Sequence, residues 1–336
     1  QPFLPDPPPL PAGDVVVFLD VWEREITYIE DPAIADVALG GADTATRTQT
    51  VWQVRVGEVR RAECGADVGE PPSAGRLTTQ AFAPPAPDDP CILAPQSGYR
   101  GLENRLYRVE IHDAGPLGTA RFKWSRDNGS IVSAVTGLAV AGAETTLTVT
   151  RIGRDRVLRF RIDDWVTVTD DHRELQGEPG EMARILDIDE AQSQIVLDRA
   201  LPSPSGRPFG ANAVELEARR TRVQRWDQTA ATNTLDGDGL IATAAGPIGL
   251  EDGIEVSFSA DPAGGSFRVG DCWVFAARTA DASVELLTAA PPRGIVHHYV
   301  QLAAITGLGG PDPVVHDCRP RPEDGRGGER CCCCLV

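Results

Sequence analysis

Lysine is almost missing from this sequence: of 32 basic residues only Lys123 is a lysine, and the rest are arginines. Methionine occurs once and histidine five times. No apolar run approaches the ~20 residues of a membrane-crossing helix, so no such span is expected. No basic segment followed by an apolar stretch opens the chain, so no signal peptide is visible. There is no Gly-x-Ser-x-Gly elbow, no phosphate-binding loop and no dinucleotide fingerprint. The sequence therefore assigns no catalytic residue and no cofactor-binding residue, and the expectation is a chain that is not an enzyme. Positive charge is outweighed: the net charge is −17. A surface this negative repels phosphate backbones, which argues against nucleic acid as a partner.

What the chain does have is strand signals. At 41% apolar residues it can bury a sizeable core, and 336 residues correspond to about two domains of ~150 residues. Residues 1–13 hold six prolines and read as an extended arm or linker. Residues 14–22 form a strand with Val15, Val16 and Val17 at its centre. Asp31 and Pro32 open one of few helix signals, with Gly40 as its stop. Alternation places Trp52, Val54 and Val56 on one face of a strand. Tyr107, Val109 and Ile111 alternate with Arg108, Glu110 and His112, and Phe122 and Trp124 alternate with Arg121 and Lys123. Asp127-Asn128-Gly129 is a tight-turn signal, and 131–135 is expected to return beside the preceding strand. Further strands are predicted at 145–152, 157–162, 165–169, 183–188, 194–198, 214–217, 221–226, 254–258 and 272–277. Residues 296–305 read as a buried strand or a short helix. Trp22, Trp52, Trp124, Trp165, Trp226 and Trp273 each sit in a strand-like run, most of them as core residues.

The fold is thus expected to be mainly β, with two strand-rich lobes of small barrel or sandwich type and few short helices. Expected boundaries are a Pro-rich arm at 1–13 and a first lobe at 14–140 containing a long Pro/Gly-rich loop at 64–98. A second lobe at 141–318, barrel-like near 145–200, precedes a tail at 319–336.

Candidate sites are few. Cys331, Cys332, Cys333 and Cys334 are adjacent, whereas zinc ligands are spaced in pairs. An extended chain presents such thiols on both sides, which suits contacts or disulfides between chains better than one closed metal site. His316 and Cys318 lie two apart and are a weak metal-binding candidate with one of His297 or His298. Cys64, Cys91, Cys272 and Cys318 are too sparse for a disulfide scaffold. Acidic pairs recur at Asp163-Asp164, Asp170-Asp171 and Glu251-Asp252, and Asp236-Gly237-Asp238-Gly239 is half of a calcium loop without its distal glutamate. One or two exposed tryptophans would make a sugar-stacking platform.

Several long strings resemble a known group of proteins. They include ALGGADTATRTQTVW at 38–52, GYRGLENRLYRVEIH at 98–112, FKWSRDNGS at 122–130, WVTVTDDHRELQGEPGEM at 165–182, FRVGDCWVFAAR at 267–278 and PPRGIVHHY at 291–299. Over roughly 14–334 the chain resembles an uncharacterised family of large bacterial proteins that often occur with phage-tail-like contractile injection systems. The resemblance implies an N-terminal segment before this chain and a right-handed parallel β-helix after the cysteine run, so the chain reads as a fragment. It supplies no catalytic residues. The expected role is a non-enzymatic structural or adaptor module contacting other protein subunits, as a homo-oligomer, filament or particle. The alternative is an extracellular carbohydrate-binding or carbohydrate-processing protein. An extracellular or particle-associated location fits either.

Overall fold

The computed structural model describes residues 1–39, 45–82, 98–153 and 155–319. The protein is mainly β, as its alternating patterns predict, and its described α-helices are the short Asp171–Glu174 and Ala213–Ala218. Three β assemblies are nested along the chain rather than strung in sequence.

The innermost is a closed, antiparallel, six-stranded barrel. Its cyclic order is Glu181–Asp189, Gln194–Leu197, Glu144–Val149, Val132–Ala141, Arg222–Trp226 and Trp165–Thr169. Leu147, Val166, Val168, Ile185, Ile195, Leu197 and Val223 point inward and are completely buried. The barrel thus spans 132–226, wider than the 145–200 expected.

Around it in sequence lies a sandwich. Arg105–Asp113 pairs with Arg121–Ser125 and Cys272–Arg278, while Gly75–Ala81 pairs with Ile254–Ala260. Tyr107, Phe122, Trp124, Phe258, Phe267, Trp273 and Phe275 fill the space between these sheets.

Outermost is a four-stranded terminal sheet ordered Arg47–Glu58, Gly13–Ile26, His298–Leu308 and Val314–Asp317. Its long central pairing joins Gly13 to Leu308 and Val21 to His298, so segments nearly 300 residues apart share one sheet. The lobe boundary expected near 140 therefore crosses no natural break. The barrel interrupts the sandwich, and the sandwich interrupts the terminal sheet.

Several expectations need correction. The turn at Asn128 and Gly129 has the positive φ expected of it. The strand after it does not fold back: Val132–Ala141 pairs with Glu144–Val149 inside the barrel. Residues 157–162 are not a strand, because Arg225 Nη1 takes the carbonyls of Val157 and Arg159 at 2.9 and 2.5 Å and removes them from any ladder. Phe160 is still buried, whereas Leu158 and Ile162 are exposed. Residues 214–217 are helical, because Asn212 caps the Glu215 N–H and the Glu215 carboxylate caps Ala211 N–H in return. The expected loop at 64–98 contains the strand Gly75–Ala81. Gly40 and Cys91 lie outside the described residues.

The arm is not a free linker. Leu4 is buried, Phe3 meets Trp52 edge-on at 6.3 Å, and the Gln1 side-chain amide both donates to Val54 O at 2.9 Å and accepts from Val54 N at 2.7 Å. That pairing covers part of one edge of the terminal sheet.

Candidate functional site

The alternation of Arg108, Glu110 and His112 opposite a hydrophobic face ordinarily marks a solvent-facing side. Here the sandwich lays this polar side against the outside of the barrel wall at Thr167 and Trp226. Arg108 holds Glu110 through Nε at 2.7 Å, and Glu110 meets Lys123 Nζ at 3.3 Å. Lys123 is buried, 4.4 Å above the Trp226 ring, and its Nζ lies 3.2 Å from His112 Nδ1 and 3.4 Å from Thr167 Oγ1. Burial pushes the Lys123 ammonium down, opposed by Glu110. Burial alone would raise the Glu110 carboxyl, but Arg108 and Lys123 override it and hold it below its ordinary value. Burial, then Lys123 and Arg121, push His112 well below the ordinary histidine value, so its ring is neutral. With the Lys123 ammonium as donor to Nδ1, the ring proton is assigned to Nε2. Nε2 has no hydrogen-bond partner among the described residues.

His112 forms part of the wall of a cleft of about 800 Å³ between sandwich and barrel. Arg121, Arg173, Arg199 and Arg207 also line it, with Asp113, Glu178, Glu181 and Asp238. Each guanidinium stands beside a carboxylate: Arg121 Nε is 2.5 Å from Asp113, Arg199 Nη1 is 2.8 Å from Asp238, and Arg207 Nη2 is 2.6 Å from Glu178. Arg173 pairs with Asp170 at 3.2 Å and stacks 3.7 Å over Phe209. Exposed Pro179 and the buried Met182 and Leu240 also border it. The lining charges balance, and hydrogen-bond donors and acceptors are interleaved.

The acidic clusters singled out in the sequence are engaged structurally. Asp236 Oδ1 closes its own turn by accepting from Asp238 N and Leu240 N at 2.8 and 2.9 Å, and Arg121 binds its other oxygen. Guanidinium groups thus stand where a calcium ion would need these carboxylates. Asp170 caps the helix Asp171–Glu174. Asp171 takes Arg24 through both oxygens at 3.2 Å, with Arg220 at 3.0 Å and Arg222 at 3.4 Å. This buried clasp fastens the terminal sheet to the barrel. Glu251 accepts from the Tyr107 hydroxyl at 2.8 Å.

The histidines separate as adjacent strand residues must. His297 packs tilted against Trp22 with ring centroids 4.6 Å apart, and its Nδ1 lies 2.7 Å from the buried Asp20; His298 is exposed. His316 and Cys318 do not form the suggested metal pair, because Cys318 is disulfide-bonded to Cys64, 254 residues away. A thiolate ligand is therefore not on offer there. Sequence spacing gave no sign of that pairing. Among the described residues no group of three His, Cys, Asp or Glu side chains gathers as a metal site. Cys331, Cys332, Cys333 and Cys334 lie outside the described residues. Of the tryptophans, Trp22, Trp124, Trp226 and Trp273 are buried, Trp165 is half-buried beneath Arg199, and Trp52 is 40% exposed.

No helix among the described residues is long and apolar enough to cross a membrane. No curated protein and no solved structure matches the chain. A family model described as "Family of unknown function (DUF6519)" matches residues 11–70 and 71–335, and the chain belongs to that family.

Proposed function

We propose that this chain is a non-enzymatic structural or adaptor module that contacts other protein subunits, in the first place further copies of itself. The outer face of the terminal sheet carries the reading. Cross-strand rows there are apolar: Val54, Leu19 and Val300 form one, and Val56, Val17 and Ala303 the next. Trp52 is 40% and Val300 43% exposed, and the flanking edge strand Val314–Asp317 is exposed throughout. Contiguous apolar surface beside a free sheet edge is characteristic of interaction sites. The Cys64–Cys318 disulfide supports an oxidising, extracellular or particle-associated setting. A place in a phage-tail-like contractile injection system, and a β-helix after the cysteine run, follow from the resemblance and belong to the same proposal. Light scattering during size exclusion tests it. Concentration-dependent oligomers that Trp52→Glu or Val300→Glu disperse without loss of fold are expected. A monomer at every concentration, or oligomers indifferent to both variants, overturns it.

A second reading, carbohydrate binding, is favoured by the charge-balanced cleft rather than by an aromatic platform.

A further inference from the structure

We infer that the cleft between sandwich and barrel binds a neutral, hydroxyl-rich saccharide, with His112 Nε2–H as a fixed donor at its wall. The inference rests on the carbohydrate reading above and is independent of the adaptor role.

The lining excludes other classes by its charge. An anion entering among the four arginines also meets Asp113, Glu178, Glu181 and Asp238, and a cation meets the arginines. An apolar molecule would strip water from charged groups and give nothing in return, which is costly. A peptide carries its N–H and C=O on separate atoms pointing apart. A sugar hydroxyl donates and accepts through a single oxygen. That capacity matches a wall on which each guanidinium stands beside a carboxylate, as at Arg199–Asp238 and Arg207–Glu178, 2.8 and 2.6 Å apart. Pro179, exposed at the wall, offers a small apolar contact for the C–H face of a ring. The volume of about 800 Å³ lies within the range of ligand pockets.

His112 is the second observation. Its side chain is buried, it lines the cleft, and of its two ring nitrogens Nδ1 is taken by Lys123. Lys123, the only lysine in the chain, fixes the tautomer from behind through the 3.2 Å contact to Nδ1. Glu110 holds Lys123 in turn. A ring held in one tautomer donates to an incoming oxygen without reorganising.

The full chain would be applied to a microarray of neutral glycans, acidic glycans and unmodified peptides, and hits measured by titration calorimetry. Binding to neutral glycans is expected. Ser205→Trp, at an exposed position on the cleft rim, should weaken it roughly tenfold or more while leaving the thermal transition and the oligomeric state unchanged. His112→Phe should weaken it as well, and Ser205→Trp keeps the test decisive if that variant fails to fold. Binding confined to acidic glycans or to peptides, neutral binding indifferent to Ser205→Trp, or no binding to any glycan would overturn the inference. Because oligomerisation is read separately, its failure would not be confused with failure of the adaptor reading.

Discussion

The barrel and the terminal sheet solve opposite problems with the same kind of strand. The barrel closes on itself, so it has no edges, and Leu147, Val166, Val168, Ile185, Ile195, Leu197 and Val223 fill its core. The terminal sheet stays open and mixes polarity on both faces. Its inner face carries Asp20, Arg24 and Gln53 among Phe18, Trp22 and Val51, while its outer face has apolar rows through Leu19 and Val17 and charged Glu23 and Glu25. Two of the inner polar groups bind the rest of the molecule: Arg24 enters the Asp171 clasp, and Gln53 Nε2 donates to Leu175 O at 2.7 Å. The barrel is thus self-sufficient. The sheet is attached by specific polar bonds, its own ends are joined by the Cys64–Cys318 disulfide, and Trp52 and Val300 remain partly exposed on its outer face.

That contrast can be broken experimentally. Phe160→Ala, in the barrel core, should cost about 3–5 kcal/mol and lower the midpoint of the whole transition in urea. Arg24→Met should cost about 3 kcal/mol by leaving Asp171 short of a buried partner. Hydrogen exchange should then rise in the terminal sheet while the barrel amides stay protected. Cys64→Ser should cost about 2–4 kcal/mol, because the disulfide closes a loop of 254 residues, and its effect should likewise concentrate in the terminal sheet.

Acid should separate the two regions by sign. Burial would raise the Asp171 carboxyl, but Arg24, Arg222 and Arg220 hold it below its ordinary value. Its stabilisation is present above the unfolded value of about 4 and is lost as pH falls through the depressed folded value. Asp164, beside the barrel, is raised to about 6 by burial, against the pull of Arg225. There the folded chain binds the proton more tightly, so stability falls as pH rises from about 4 to about 6. Urea midpoints across that range should lose the second slope in Asp164→Asn and the acid-side loss in Asp171→Asn. The smallest effect concerns the covered edge: Gln1→Ala should cost no more than about 1 kcal/mol and speed exchange of the Val54 amide.

The sequence revealed the faces of strands better than their partners. Tyr107, Val109 and Ile111 are buried as alternation demands, and Trp52, Val54 and Val56 do share a face, although it is the outer one. Alternation encodes which side a residue takes, not which strand lies beside it. The union of Gly13–Ile26 with His298–Leu308 leaves no local trace. The cleft was hidden for a related reason. Arg108, Glu110 and His112 look like a solvated face, and only tertiary packing of the barrel against them makes a buried relay. The solitary Lys123 was a usable signal: a lysine kept once among 31 arginines is a residue whose local surroundings deserve inspection.

The Cys64–Cys318 bond has a mechanical side. Tension applied beyond Cys318 enters the short strand Val314–Asp317 and, in parallel, crosses the sulfurs to residue 64. From there it reaches Arg47–Glu58, which runs beside the first strand from Val15–Glu58 to Ile26–Arg47. Without the bond, a pull between the chain ends would peel His298–Leu308 from the first strand starting at the Gly13–Leu308 pair, one rung at a time. With it, load is shared among three strands, as a rivet spreads stress across overlapping plates.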